Sequence, residues 1–224
     1  MIRALFPLAA AAVLATACTS PAQAESVVAT PAAKVAAREA KGLKTAIFAG
    51  GCFWGIEGVF SHLKGVTSAV SGYHGGAQGT ARYDQVSDGE TGHAEAVRVT
   101  YDPAVIRYDQ LLQVFFAVGA DPTQLNRQGP DRGTQYRTAL VPVSAEQNRV
   151  AAAYLAQLKA SGLWKKPLVA RIERAQAFFP AEPYHQDFMS KNPDHGYIRM
   201  WDAPKVAALK RLFPGEFKAG FTSG

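Results

Sequence analysis

From residue 43 onward, short apolar runs of strand length alternate with segments whose apolar residues recur at helical spacing, in the order β-α-β, β-α-β, α-β. That order restricts the fold to helices covering a sheet, since each strand has a face to bury and each helix a stripe. The run KTAIF (44–48) is closed by Ala-Gly-Gly, as a buried strand ending in a tight turn would be. Past the turn Phe53, Ile56, Val59 and Phe60 fall at spacings of three, three and one, which suits a helix. GVTSAVSGYHGG reads as a strand running into a Gly-rich loop, and HAEAVRVTYDP as a strand stopped by Asp102-Pro103. YDQLLQVFFAVG is a helix with Tyr108, Leu111, Leu112, Phe115 and Phe116 on one face. TALVPV is a strand, and a helix opens at Ser144 with Gln147 as its capping-box partner and closes at Gly162. LVARIER is a further strand and EPYHQDFMSKN one short helix. The fold class expected from this order is α+β, two layers, with helices packed on one face of a mixed sheet.

Only two cysteines occur in the 224 residues, Cys18 and Cys52, and the N-terminal segment decides what becomes of the first. Residues 1–24 read as an export signal: Arg3 supplies the positive start, and ALFPLAAAAVLATA is an apolar stretch too short to span a bilayer. Two processing sites follow. PAQAE offers cleavage before Glu25, and ATAC resembles a lipobox that would make Cys18 the lipidated first residue of a bacterial lipoprotein. Either route sends the protein to the periplasm and leaves Cys52 as the one free thiol. Residues 25–42, rich in Ala, Val and Pro, are expected to be a flexible arm, with a single domain over 43–224. That length supports one real core. The net charge of +6 is spread without a cluster, which speaks for a solvated basic surface and no nucleic-acid partner.

A lone free thiol in an oxidising compartment is either buried or used. Cys52 falls at a strand-to-helix turn, where unpaired N–H groups and the helix dipole favour thiolate, so a lowered pKa is expected. The other reading is a small buried hydrophobe. Phe53 and Trp54 are either core or the walls of an apolar pocket beside the sulfur. On its strand Glu95 shares a face with Val97, Val99 and Tyr101, which turns the carboxyl toward the interior and raises its pKa, so that it holds a proton to donate. The alternatives are an exposed edge or a structural pair with an arginine. Tyr83 and Tyr136, in or beside two long polar loops (75–92 and 121–137), carry hydroxyls able to donate to developing charge, or simply pack. Asp131 is a site residue or a turn residue. His185 is expected to be structural. No pair of His or Cys has metal-ligand spacing.

GGCFWGIEGVF, GYHGG, TGHAEAVRVTYDP, DRGTQYRTA and AEPYHQDF, in that order over about residues 43–195, resemble the peptide methionine sulfoxide reductases of the A class. The resemblance implies an α/β plait with a ferredoxin-like core. It implies reduction of the S epimer of methionine sulfoxide, free or in proteins, by a monomer without metal or cofactor. Cys52 would then attack the sulfoxide sulfur, Glu95 would protonate the oxygen with help from Tyr83 and Tyr136, Phe53 and Trp54 would hold the methyl group, and Asp131 would lie near the substrate or in the hydrogen-bond network around it. The cysteine would end as a sulfenic acid. The reductant would be a thioredoxin-like or glutathione/glutaredoxin-like thiol. Two departures stand out: Pro130 replaces the usual Asn before Asp131, and the tail, where the family places resolving cysteines, contains none. The competing readings are a cysteine hydrolase using His93 or His185, and a module that binds oxidised methionine without turnover.

Overall fold

The computed structural model describes residues 27–224; the export signal, Cys18 and Glu25 lie outside the described residues. In chain order the strands are β1 (Lys44–Gly50), β2 (Val66–His74), β3 (Ala94–Tyr101), β4 (Arg127–Gln128), β5 (Asp131–Arg132), β6 (Thr138–Val141), β7 (Arg171–Ile172) and β8 (Phe178–Pro180). The helices are α1 (Phe53–Ser61), α2 (Tyr83–Val86), α3 (Tyr108–Val114), α4 (Ala145–Ser161), α5 (Phe188–Lys191) and α6 (Ala203–Leu212).

Six strands make one mixed sheet in the order β7-β6-β1-β3-β2-β8, while β4 and β5 pair with each other. β1 and β2 both run antiparallel to β3, which lies between them, so the crossover through α1 spans one strand. The second crossover takes α3 from β3 to β6, on the far side of β1. This split β-α-β arrangement is the ferredoxin-like plait.

The main core lies between the sheet and α1, α3, α4. Phe48 of β1 packs on Phe60 of α1 with ring centroids 4.6 Å apart and on Phe115 at 5.2 Å. The opposite face carries a smaller apolar cluster, Ile47, Ala49, Ala94, Ala96, Ala139 and Val141, with Phe178 against it. β7 and β8 sit at opposite edges of the sheet, so the residues between them, 173–177, must cross from one edge to the other. Glu173 accepts from Arg137 Nε at 2.7 Å on one side, and the Gln176 amide donates to His74 Nε2 at 3.2 Å on the other.

Several elements differ from the sequence expectation. Residues 27–42 carry no helix or strand, yet they are a docked strap, which corrects the flexible arm from Val27 on. The Ala37 amide donates to Asp109 Oδ1 at 2.8 Å, Tyr154 OH to the Pro31 carbonyl at 2.9 Å, and Tyr101 OH to Glu39 Oε1 at 2.7 Å. Gln147 uses its side chain elsewhere than a capping box: Ser144 Oγ caps the Gln147 amide at 3.1 Å, but Gln147 Oε1 accepts from the Val143 amide at 2.9 Å. Its Nε2 is drawn instead to the Thr45 carbonyl at 2.9 Å and Tyr101 OH at 3.1 Å. The helix from Tyr108 widens after Val114 into a π turn, Phe115–Gly119, closed by Ala120 N–H to the Phe115 carbonyl at 2.9 Å. LVARIER contributes only Arg171–Ile172, paired in parallel with β6. EPYHQDFMSKN breaks into a 3₁₀ turn (Pro183–His185) and α5, because Asp187 between them takes φ 57°. Past residue 195 the tail folds as a π turn, Ile198–Asp202, leading into α6.

Candidate active site

The turn between β1 and α1 sets the position of Cys52. Gly51 has φ +88°, and a Cβ on it would lie 2.4 Å from Gln128 Cβ, so only glycine closes the turn. Cys52 follows as the N-cap of α1. It is buried, 9% exposed, and burial pushes its thiol well up, joined by the carboxylates of Glu95, Asp202 and Asp131. The backbone amide of Trp54 pulls the other way and is outweighed. The lowered pKa expected from the helix terminus is therefore corrected: at neutral pH the resting residue is a thiol. Removal of water, the largest effect, outweighs one turn of helix dipole.

Glu95 lies on the core face of β3 with Val97, Val99 and Tyr101, all fully buried. Its Oε2 accepts the Phe53 amide at 3.0 Å, which ties the carboxyl to the same helix terminus that carries the thiol. Burial raises its pKa to about 8 against that amide's opposing effect, with Asp131 and Asp202 adding to the rise. At neutral pH the carboxyl holds its proton.

Above these groups is a cavity of about 290 Å³ lined by Cys52, Phe53, Trp54, Tyr83, Glu95, Asp131, Tyr136, His195 and Tyr197. The seven residues singled out from the sequence come from four separate stretches of chain, and the fold brings all seven to this one cavity. Trp54 is fixed on three sides. Its ring stacks on Phe188 at 3.7 Å, its indole N–H donates to His185 Nδ1 at 3.1 Å, and Tyr197 meets it edge-on at 5.9 Å. Phe53 serves both readings, since its ring is 1% exposed in the core and still borders the cavity.

The two polar loops are braced against each other. Thr134 Oγ1 donates to the Gly89 carbonyl at 2.6 Å, and Gln135 Nε2 to the Ser87 carbonyl at 2.8 Å. Tyr83 starts α2, and its amide donates to Glu182 Oε1 at 2.9 Å. Tyr136 ends a 3₁₀ turn (Thr134–Tyr136). Burial raises both phenols, and the nearby Glu95 raises them further, so both remain protonated donors. Asp131 Oδ2 accepts from Tyr197 OH. His93 and His185 lie outside the cavity lining: His93 is bonded to Gly76 and Ala77 on the loop, and His185 backs Trp54.

Sequence reasoning missed His195, Tyr197, Asp202 and Lys205. All belong to the tail, which the sequence reading marked only by its missing cysteines. Gly55 was the available signal: a Cβ there would lie 2.2 Å from Asp202 Oδ1, so a glycine inside a helix recorded a close neighbour.

Residues 44–216 match the family model described as peptide methionine sulfoxide reductase. The chain is 55% identical over 177 residues to peptide methionine sulfoxide reductase MsrA 2 of Mesorhizobium japonicum, covering 79% of this chain and 91% of that one. It is 46% identical over 180 residues to the MsrA 2 of Synechocystis, covering 80% and 84%. Among solved structures, reduced Mxr1 from Saccharomyces cerevisiae superposes with a TM-score of 0.62 at 32% identity, over 72% of this chain and 91% of that one. Methionine sulfoxide reductase A of Corynebacterium diphtheriae gives 0.57 at 33% identity, over 68% and 76%.

Proposed function

Because the chain belongs to the peptide methionine sulfoxide reductase family and is a peptide-methionine (S)-S-oxide reductase acting in protein repair, we propose that Cys52 attacks the sulfoxide sulfur while Glu95 protonates the departing oxygen. The observation that carries this reading is the Phe53 amide bond to Glu95, which holds a protonated carboxyl beside the thiol. A sulfoxide oxygen leaves only when protonated, so the acid has to enter the reaction with its proton in place.

The Cys52 sulfur bonds to the sulfoxide sulfur as the Glu95 proton moves to the oxygen, and the thiol proton replaces the one Glu95 gave up. The hydroxyl then passes from the methionine sulfur to the Cys52 sulfur as the methionine S–O bond and the new S–S bond break, so methionine leaves and Cys52 is a sulfenic acid. Tyr83 and Tyr136 donate to the oxygen while charge develops on it. Phe53 and Trp54 seat the methyl group, and Asp131, held by Tyr197, orients the substrate.

Recycling needs two external thiol groups. The first displaces water from the sulfenic acid to form a mixed disulfide, and the second releases Cys52 as thiol. The cysteine-free tail supports this direct route, with a thioredoxin-type or glutaredoxin-like donor. Residues 1–24 support export to the periplasm, with or without a lipid on Cys18. Substrates are methionine sulfoxide in oxidised proteins or free.

Intact-mass analysis tests the reading. One turnover without reductant should add about 16 Da at Cys52, and a small thiol added next should give the mixed disulfide at the same residue. Loss of two hydrogens, meaning an internal disulfide, would overturn it. Protein taken from its native host should begin at Glu25 or at a lipidated Cys18; an intact Met1 terminus would remove the export proposal.

A further inference from the structure

Tyr83 and Tyr136 are carried by two different loops, and the residue after Tyr136 fastens both. Arg137 is buried, its side chain 8% exposed. Its guanidinium donates four hydrogen bonds. Nη1 reaches the Thr134 carbonyl at 3.0 Å and so closes the turn that ends in Tyr136. Nη2 reaches the Gly92 carbonyl at 3.1 Å, at the far foot of the loop 75–92 that carries Tyr83. Nε and Nη2 take the two oxygens of Glu173, at 2.7 and 3.1 Å. The near foot of the same loop converges on the same atoms: a Cβ on Gly75, φ +101°, would lie 2.9 Å from Arg137 Nη2 and 3.2 Å from the Gly92 carbonyl oxygen. One guanidinium thus joins both feet of one loop, the turn of the other, and the residues that cross the sheet from β7 to β8.

A buried ion pair is weak evidence for stability, because desolvation of both charges offsets their attraction. What the guanidinium supplies here is shape, a rigid planar fork of N–H donors that fixes three segments of chain at once. Arg137 does not line the cavity, so it bears on the reaction only through the residues it holds. Those residues are the carriers of the two phenols. A donor lowers a barrier only if it is aimed before charge develops, and a misplacement of about 1 Å costs up to about 10²-fold in rate.

We propose that Arg137 is a positioning residue for the reduction, aiming the Tyr83 and Tyr136 hydroxyls at the sulfoxide oxygen by locking both loops to Glu173. The proposal rests on the roles given above to the two phenols. The seat of the methyl group is independent of it. Phe53 and Trp54 belong to α1, and Trp54 is fixed by Phe188, His185 and Tyr197, none of them bonded to Arg137. Arg137 therefore governs the rate of the first turnover and leaves the affinity for the sulfoxide alone.

The test is single turnover of methionine sulfoxide by the full chain as wild type, as Arg137→Lys, as Tyr83→Phe with Tyr136→Phe, and with all three changes together. Lysine keeps the charge and loses the fork. Arg137→Lys should slow the saturated first turnover about tenfold at an unchanged half-saturating sulfoxide concentration. In the protein without the two hydroxyls the same change should cost nothing further, since nothing is left to aim. A merely structural role would cost the same in both backgrounds. An equal loss in both, a raised half-saturating concentration in place of a slower rate, or a wild-type rate in folded Arg137→Lys overturns the proposal. Should Arg137→Lys fail to fold, Glu173→Gln decides in the same two backgrounds, because it loosens the same guanidinium. It should slow the first turnover only where the hydroxyls are present, and a loss equal in both or absent from both is refuting. A doubly Phe-substituted protein as fast as wild type would instead remove the phenols from the chemistry, and the proposal with them.

Discussion

Glu95 accepts a helix amide and still holds its proton to about pH 8, so burial prevails over the hydrogen bond at this residue. Two consequences can be measured. Glu95→Gln keeps the shape and removes the acid, so the first turnover should slow by roughly 10²–10⁴-fold, followed in single turnover so that recycling does not mask it. The second-order rate constant of wild-type first turnover should be level at lower pH and fall as Glu95 loses its proton through about pH 8, whereas Glu95→Gln shows no such fall. A wild-type rate in the variant would remove Glu95 from the chemistry. Glu95 was legible because side chains alternate across a strand and three of its face-mates are apolar. The state of Cys52 was not. A sequence shows a helix terminus and its favourable dipole, but not the depth of burial or the acids that arrive from β5 and the tail.

At the scale of elements, α1 is crowded along its length: Gly55 admits Asp202, and at Gly58 a Cβ would lie 2.5 Å from Met189 Cε. Between them Glu57 is wholly buried, with Oε2 accepting from the Asp187 amide at 3.1 Å. Burial lifts its pKa from 4.5 to about 8, outweighing that amide. The folded state therefore binds this proton more tightly than the unfolded chain. The stability it confers is complete below about pH 4.5 and is lost as pH rises toward 8. Glu57→Gln should raise the unfolding free energy measured by denaturant titration, the gap to wild type widening from pH 5 to pH 8 and reaching on the order of 4 kcal/mol. A gap independent of pH would contradict the assignment. Among the elements α4 was the most legible, since Ser144 and Gly162, the latter at φ 68°, mark its ends by local chemistry. β7 and the π turns were not: a two-residue strand and a widened helical turn are decided by what packs on them.

For the whole molecule, the order of strands and helices was enough to give the sheet and its helical layer, whereas the two straps were beyond sequence reasoning. A stretch of Ala, Val and Pro looks alike whether loose or docked. Residues 27–42 are docked by bonds to Asp109, Glu146, Gln157 and Gln113 on α3 and α4, far along the chain. The second strap, 173–177, has a consequence for the order of folding. It joins the two outer edges of the sheet, so its contacts gain nothing until every strand between them is in register. It should therefore be laid down late, after the rate-limiting step. Glu173, held by Arg137 at 2.7 Å and Arg171 at 2.8 Å, is the place to measure this. Glu173→Gln should speed unfolding about tenfold and leave refolding unchanged in stopped-flow experiments; a slower refolding limb would put the strap in the nucleus. The chain then holds its sheet closed by a kinetic latch. A destabilised molecule should open first across the alanine face, exposing the backbone amides of 94–96 and 139–141 to exchange while the helical layer stays intact.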